Sequence, residues 1–229
     1  MVDNFMEHGA KTVIIVDKSE ELGVKAIDSM TTKHGGNKAV FLKCDVTSDL
    51  DETFEGIIQK YKFIDIIVNN AGILDEKSIK STININLLSL MEWSIKFYDY
   101  MRKDRGGYGG TIINVSSIYG LEITPFVTTY HASKFGVIGF TKSLGHIYNF
   151  KKTGVRVVAL CPGFTYTAIT ATFSLRDDNM LADFMKEAKS HEWQEVDAVG
   201  KGVIDIFEKA ESGTVWRIVG NRSAVMEKE

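Results

Sequence analysis

Cysteine is scarce in this sequence, and the two that occur, Cys44 and Cys161, each end an apolar run. Such cysteines are typical of buried free thiols in a reducing compartment, and no disulfide framework is supported. No run of about eighteen apolar residues occurs, so we expect no membrane-spanning segment. Residues 1–10 are polar and contain no apolar signal region, so we expect a cytoplasmic protein.

Strong charge of one sign is also missing. The formal net charge of −3 gives no reason to expect a nucleic acid or an anionic membrane surface as a partner. The histidines show no spacing that suits a metal ion, so we expect no metal. A length of 229 residues is enough for one well-buried domain and short for two, and we predict a single domain over residues 1–229.

A third absence concerns glycine. No glycine-rich loop that could cradle a phosphate follows a predicted strand. The glycine-rich stretch at residues 106–110 precedes a strand instead, so we interpret it as a turn.

The residues that are present indicate alternating strands and helices. We predict strands at residues 11–17, 39–44, 64–69, 111–116, 155–160 and 215–219. We predict helices at residues 20–33, 50–61, 79–101, 128–148, 182–190 and 197–208. Repeated β-α units of this kind imply an α/β fold with a doubly wound parallel sheet and helices on both faces.

The most informative residues are Tyr130 and Lys134, with Ser117 thirteen residues before the tyrosine. A spacing of four on a helix puts both side chains on one face. At about 4 Å and an effective dielectric of roughly 20, a lysine cation would favour a phenolate by about 4 kcal/mol, or roughly three pKa units. That is enough to make Tyr130 a proton donor and acceptor near neutral pH. Ser117 could then hold a carbonyl oxygen beside it.

Other polar residues follow the predicted strands, where ligands bind in open α/β sheets. Asp17, Asp45, residues 69–72 (Asn-Asn-Ala-Gly) and the pair Pro162 and Gly163 each come at the carboxyl end of a strand. Each also has a purely structural explanation. Asp17 and Asp45 could cap the helices that follow, Ser117 could be an ordinary loop hydroxyl, and Tyr130 could be an interface aromatic.

Taken together, these motifs closely resemble the short-chain dehydrogenase/reductase family. The resemblance rests on the sequence at residues 69–72, on Asn86 and Ser117, on residues 130–134 (Tyr-His-Ala-Ser-Lys), and on Pro162, Gly163 and Thr167. Their order and spacing match along almost the whole chain. Within the family, the strings at residues 44–46, 85–87, 161–164 and 167–169 are most similar to the branch of 15-hydroxyprostaglandin dehydrogenase and the insect-type alcohol dehydrogenases.

The resemblance implies an NAD-dependent oxidoreductase that interconverts an alcohol and its carbonyl. Tyr130 would exchange the proton, Lys134 would lower the pKa of Tyr130 and bind the nicotinamide ribose, and Ser117 would polarise the substrate oxygen. Asn86 would hold a water that links Lys134 to solvent. The cofactor contacts it implies are Asp17, Asp45, Val46, Asn70, Ala71, Gly72, Tyr130, Lys134, Pro162, Gly163, Phe164 and Thr167. Because a carboxylate at Asp17 repels a 2′-phosphate, NAD is favoured over NADP.

One departure from the family pattern is serious. Family members begin with a strand and a glycine-rich turn that binds the pyrophosphate, whereas residues 2–10 resemble only the end of the first family helix. We therefore interpret the chain as an N-terminally shortened member whose first, central strand is missing. The strands ending at Asp17 and Asn69 would then either pair directly or leave their inner edges unpaired.

That departure leaves two functions open. The chain is either the oxidoreductase described above or a non-catalytic relative. Such a relative could be a binding or storage protein, or an inactive truncated form.

The substrate pocket would involve Phe126, Val127 and residues 164–183. Their apolar side chains suggest a lipophilic or small aliphatic alcohol, although several of them could merely pack a lid helix. Val127 is apolar where prostaglandin dehydrogenases carry glutamine. The apolar surface of the helices at residues 79–101 and 128–148 predicts a homodimer.

Overall fold

The computed structural model describes residues 1–36 and 38–228. The chain divides into two compact units, Met1–Lys62 and Phe63–Glu229. The prediction of one domain over the whole chain stays a prediction.

The amino-terminal unit is a parallel strand pair with three helices. Its elements are α1 (Val2–Glu7), β1 (Val13–Asp17), α2 (Glu20–His34), β2 (Ala39–Lys43) and α3 (Leu50–Tyr61). Val13 of β1 lies opposite Ala39 of β2, and Asp17 lies opposite Lys43. The short connection between β1 and α2 contains no glycine. It is therefore not a glycine-rich phosphate-binding loop.

The carboxyl-terminal unit is built on a five-stranded sheet. Its strands are β3 (Ile66–Asn69), β4 (Gly110–Val115), β5 (Val155–Pro162), β6 (Val215–Ile218) and β7 (Val225–Met226). Its helices are α4 (Ile79–Ile83), α5 (Ser89–Met101), α6 (Thr128–Leu144), α7 (Ile147–Thr153), α8 (Ala168–Ala171), α9 (Leu181–Ser190) and α10 (Val196–Lys209). The strand order is β3-β4-β5-β6-β7, parallel except for the short antiparallel β7. The mixed α/β architecture with parallel strands is doubly wound, as predicted.

The core of this unit lies along β4 and β5. Ile112 and Ile113 are fully buried, as are Val157, Val158 and Leu160. Continuous apolar runs of this kind are expected of strands covered by helices on both faces. This buried core fixes the positions of the carboxyl ends of β4 and β5, where the candidate site residues lie.

The strands of the two units do not pair with one another. The described strands form one sheet of β1 and β2 and another of β3 to β7. Of the two alternatives, direct pairing of the strands ending at Asp17 and Asn69 is therefore not observed among the described residues.

Two helices differ from the sequence prediction. The predicted helix at residues 128–148 ends at Leu144, and α7 begins separately at Ile147. A Cβ at Gly145 would lie 2.5 Å from the carbonyl oxygen of Val157, so the chain passes too close to β5 for another helical turn with a side chain. The predicted helix at residues 79–101 contains a π-helical segment at Asn84–Leu88. Among the described residues, no helix is both long and apolar enough to cross a membrane.

Candidate active site

The helix α6 carries the two central residues of the candidate site. Tyr130 and Lys134 lie one turn apart and are both buried. The Nζ of Lys134 lies 5.5 Å from the ring centroid of Tyr130 and donates a hydrogen bond of 3.0 Å to the carbonyl oxygen of Val115. The lysine therefore links α6 to the carboxyl end of β4.

Ser117 follows β4 and meets the tyrosine. Its side chain forms a hydrogen bond with the Tyr130 side chain, and its Oγ also accepts a hydrogen bond of 3.2 Å from the backbone N–H of Tyr119. The structure thus brings together the three residues that the spacing singled out. Two hydroxyl groups share a buried position beside an ammonium group, and that arrangement can bind and protonate a carbonyl oxygen.

Burial dominates the electrostatics of the pair. Burial raises the pKa of Tyr130 to about 12, although the hydrogen bond from Ser117 lowers it in part. Burial also lowers the pKa of Lys134 to about 8. Both shifts have one cause, because a low-dielectric environment disfavours phenolate and ammonium alike.

The prediction of a lowered pKa for Tyr130 is therefore wrong, because desolvation outweighs the interactions that lower it. A lowered pKa was expected for Tyr130, and the structure gives a raised one. The sequence argument included the attraction between the two groups and left out the desolvation of both. At neutral pH the arrangement keeps the proton on the phenol, ready for donation.

Asn86 lies in the π-helical segment and is fully buried. Its Oδ1 accepts a hydrogen bond of 2.8 Å from the N–H of Ile73, and its Nδ2 donates one of 2.8 Å to the Ile73 carbonyl and one of 3.2 Å to Ser133 Oγ. A Cβ at Gly72 would lie 3.5 Å from both Asn86 Oδ1 and Lys134 Nζ. Asn86, Gly72 and Lys134 are therefore neighbours, and the role of Asn86 in holding a water that links Lys134 to solvent stays a prediction. π-Helical segments often occur at functional sites.

The motif at residues 69–72 has two roles. Asn69 Nδ2 donates hydrogen bonds of 2.9 Å to Ser94 Oγ and to Asn114 Oδ1, and Asn114 Nδ2 donates one of 3.0 Å to Thr141 Oγ1. This network joins β3, β4, α5 and α6 beneath the site. Asn70 and Ala71, which follow Asn69, are exposed and available to a ligand.

The carboxyl end of β5 presents the remaining residues of this unit. The backbone N–H of Gly163 donates a hydrogen bond of 2.8 Å to the Ile218 carbonyl of β6. Phe164 is buried, whereas Pro162 is half-buried. Thr167 is exposed and is the N-cap of α8, where it forms a capping box with Thr170.

Asp17, Asp45 and Val46 lie in the amino-terminal unit. The two aspartates do not cap the helices that follow, because the N-cap positions are taken by Ser19 and Asp49. Asp17 Oδ1 accepts a hydrogen bond of 2.8 Å from the N–H of Ser19. Asp45 accepts hydrogen bonds from the side chain and the backbone of Thr47, which lower the pKa of its carboxyl. Val46 is half-buried. The capping explanation is therefore wrong, and the assignment of these residues to a cofactor stays a prediction.

An apolar cluster surrounds Tyr130. Its buried members are Ile118, Tyr119, Val127, Tyr130, Phe164, Leu175, Phe184 and Ala188. Phe126, Ile169, Phe173 and Met180 pack against it, so most of the predicted pocket residues do converge on the tyrosine. Several also pack the lid helix α9, because the Phe184 ring lies 5.0 Å from that of Phe173 and 5.8 Å from that of Phe126.

The helix α9 is fastened over this cluster by polar contacts as well. Glu187 Oε1 accepts a hydrogen bond of 3.0 Å from the hydroxyl of Tyr119, and its Oε2 accepts one of 2.8 Å from Thr124 Oγ1. Both donors lie in the segment that follows Ser117. The lid helix and the serine segment therefore form one wall of the site.

Glu76 was missed by the sequence analysis. Its carboxyl group is buried and accepts hydrogen bonds from the first turn of α6, at Thr128 Oγ1, Thr129 N and Tyr130 N. Nothing in the local sequence marks this glutamate, since its partners lie more than fifty residues further along the chain.

This chain is similar in sequence to a known protein family and to several of its characterised members. Residues 1–178 match the profile of the short chain dehydrogenase family. Rat 15-hydroxyprostaglandin dehydrogenase (NAD+) is 37% identical over 224 residues, which cover 94% of this chain and 84% of that protein. The human protein of that name is 40% identical over 174 residues, which cover 75% of this chain and 65% of that protein. Alcohol dehydrogenase 1 of Ceratitis cosyra is 33% identical over 205 residues, which cover 88% of this chain and 78% of that protein.

One solved structure shares the fold. A variant of actinorhodin polyketide ketoreductase, solved with NADPH, superimposes with a TM-score of 0.78 at 21% identity. The superposition covers 96% of this chain and 90% of the ketoreductase.

Proposed function

Because this chain belongs to the short-chain dehydrogenase/reductase family and is an oxidoreductase, we propose that it interconverts an apolar alcohol and its carbonyl with NAD. The observation that carries the proposal is the meeting of Ser117, Tyr130 and Lys134 in one buried position inside an apolar cluster.

The residues of the carboxyl-terminal unit fit the nicotinamide half of such a cofactor. Gly72 leaves open the space beside Asn86 and Lys134 that a Cβ would fill. At the same end of the sheet, Pro162 is the last residue of β5, and Gly163, Phe164 and Thr167 follow it. We assign Lys134 and Thr167 to the ribose and the carboxamide. When bound, the nicotinamide ring supplies or accepts the hydride.

The choice of NAD over NADP rests on Asp17. Asp17 is the last residue of β1, where its carboxylate would accept hydrogen bonds from ribose hydroxyls and repel a 2′-phosphate. The names of the curated relatives include NAD+, while the structural neighbour was solved with NADPH. Asp45, Val46, Asn70 and Ala71 are proposed to contact the adenosine side.

The chain's own residues account for the proton transfer. In the direction of reduction, Ser117 and Tyr130 hold the carbonyl oxygen, and the phenol donates its proton to that oxygen. Lys134 donates to the Val115 carbonyl and, as an ammonium, stabilises the phenolate left behind. Asn86 fixes the Ile73 backbone beside the lysine, where a proton can return from solvent to Lys134. In the direction of oxidation, the same groups act in reverse.

The substrate is proposed to be a lipophilic or small aliphatic alcohol. The wall around Tyr130 consists of apolar and aromatic side chains, which favour an apolar group next to the reacting oxygen. Val127 is fully buried in this wall and offers no hydrogen bond to a second polar group of the substrate. The cytoplasmic location and the homodimer stay predictions.

The proposal is tested by NADH formation from a series of primary and secondary alcohols, in wild type and in Tyr130→Phe. Tyr130→Phe removes the hydroxyl and keeps the ring, so we expect turnover to fall by about 10²- to 10⁴-fold while the upward shift of the melting temperature with NAD remains. Retained turnover would overturn the assignment of Tyr130.

A parallel melt of the wild type with NAD and with NADP separates the other outcomes. A shift with NAD alone supports the assignment of Asp17. A cooperative melt that neither cofactor moves would favour the non-catalytic alternative.

A further inference from the structure

The first turn of α6 lacks the usual stabilisation of a helix start. Its N-cap residue, Val127, has no side chain that can accept a hydrogen bond, and the first turn contains no acidic residue. The first N–H groups of a helix have no partner within the helix and form the positive end of its dipole. Serine, threonine, aspartate or asparagine normally supplies an acceptor at the N-cap.

Glu76 supplies that acceptor from the loop after β3. Its Oε1 accepts a hydrogen bond of 2.8 Å from the N–H of Tyr130, and its Oε2 accepts one of 2.9 Å from the N–H of Thr129 and one of 3.1 Å from Thr128 Oγ1. The glutamate is only 3% exposed. A buried carboxyl group is costly unless its oxygens are hydrogen-bonded, and here the start of α6 provides the donors.

The loop that carries Glu76 is itself fixed. The N–H of Glu76 donates a hydrogen bond of 2.9 Å to the Ser174 carbonyl, and the N–H of Ser174 donates one of 3.1 Å to the Leu74 carbonyl. Asp75 accepts a hydrogen bond from the Ser174 hydroxyl, and its carbonyl accepts one of 2.6 Å from Thr82 Oγ1. These hydrogen bonds fix the backbone at Glu76, so its carboxyl group contacts α6 from a fixed position.

We propose that Glu76 is a positioning residue that sets the height and rotation of the first turn of α6, and so holds the Tyr130 hydroxyl against Ser117. The inference rests on the proposed function, because only a proton-transfer role makes the placement of that hydroxyl matter for turnover. Glu76 touches the backbone of the tyrosine and takes no part in the chemistry. A displacement of about 1 Å at a reacting group can cost about 10²-fold in rate.

Glu76→Gln tests the proposal with little change of shape. The amide group places an NH2 where a carboxyl oxygen now accepts, so at least one N–H of the first turn loses its partner. Asp178→Asn is the matched control. Asp178 pairs with Lys77 next to Glu76, with 2.8 Å between Lys77 Nζ and Asp178 Oδ1, and its side chain is 79% exposed.

Two readouts need no cofactor or turnover. Amide hydrogen exchange at Thr129 or Tyr130 is expected to accelerate at least about tenfold in Glu76→Gln, because at least one of these N–H groups loses its buried acceptor. The ring signals of Tyr130 in ¹³C-tyrosine-labelled protein are expected to move as its contact with Ser117 changes. The control should leave both unchanged.

The third readout is kinetic. In Glu76→Gln we expect kcat to fall by about 10²-fold with KM within about twofold, since apolar substrate contacts remain. A purely structural role would instead lower the melting temperature and leave kcat per folded molecule unchanged. Unchanged exchange and ring signals, or an unchanged kcat, would overturn the proposal. If the wild type shows no turnover with any alcohol, the proposed function fails, and exchange and ring signals alone decide the placement of Tyr130.

Discussion

The buried lysine should make the stability of this chain depend on pH in a defined window. Lys134 has its pKa lowered by burial from 10.5 to about 8 in the folded chain. Between pH 8 and 10.5 the unfolded state therefore binds more protons at this position than the folded state does. Because stability rises with pH wherever the unfolded state binds more protons, the contribution of Lys134 to the free energy of unfolding must increase across this window.

The magnitude follows from the size of the shift. One pKa unit corresponds to about 1.4 kcal/mol, so the full window is worth about 3 kcal/mol, and the part between pH 7 and 9.5 is worth about 2 kcal/mol. Lys134→Met keeps the aliphatic stem and removes the titration. The variant also loses the hydrogen bond to the Val115 carbonyl. Nζ can donate this bond both as an ammonium and as a neutral amine, so the loss is largely common to both pH values.

The assay is urea unfolding of wild type and Lys134→Met at pH 7 and at pH 9.5. The free energy of unfolding of the wild type should gain about 2 kcal/mol relative to the variant between the two pH values. Other buried groups, such as Cys161, whose pKa burial raises to about 12, are common to both proteins and largely cancel. Lys151→Met, at an exposed lysine of α7, is the control and should show no pH-dependent difference. A difference between wild type and Lys134→Met that stays constant with pH would refute the argument.

Two further predictions concern Ser117 and the buried amide network. Ser117→Ala should raise the pKa of Tyr130 further, since the serine hydrogen bond lowers it, and reduce kcat about 10²-fold. A ¹³C-tyrosine titration and initial rates check this, and an unchanged ring titration contradicts it. Asn114→Leu should leave Asn69, Ser94 and Thr141 without a shared buried partner and lower the free energy of unfolding by about 3 kcal/mol. Urea unfolding of Asn114→Leu checks this prediction. If the free energy of unfolding falls by less than about 1 kcal/mol, the argument that the network needs Asn114 is contradicted.

The secondary structure could be predicted from the sequence because its patterns are local. The helix at Leu50–Tyr61 has the predicted bounds, and the strand at Val155–Pro162 begins at the predicted residue. The end of α6 could not be predicted, because Gly145 ends the helix through its closeness to Val157 in β5. Such contacts depend on how distant segments pack.

The candidate site divides in the same way. Ser117, Tyr130 and Lys134 have a spacing that reflects their shared chemistry, and the structure brings them together. The Glu76 carboxylate accepts hydrogen bonds from backbone N–H groups of α6, and such bonds leave no pattern in the side chains of that helix. The direction of the Tyr130 pKa shift also needed the structure, because desolvation depends on what surrounds the phenol and the ammonium.

Burial of Tyr130 and Lys134 has one favourable and one unfavourable effect on the proposed reaction. It keeps water away from the reacting oxygen and strengthens each hydrogen bond to it. It also raises the pKa of Tyr130 and lowers that of Lys134, so the charged forms of both groups, which the proposed proton transfer uses, are disfavoured. The chain offsets this cost with neutral dipoles: Ser117 stabilises the phenolate, the Val115 carbonyl accepts from the ammonium, and Asn86 fixes the backbone beside it. Removing any one of these dipoles should therefore affect the proton chemistry more than the fold.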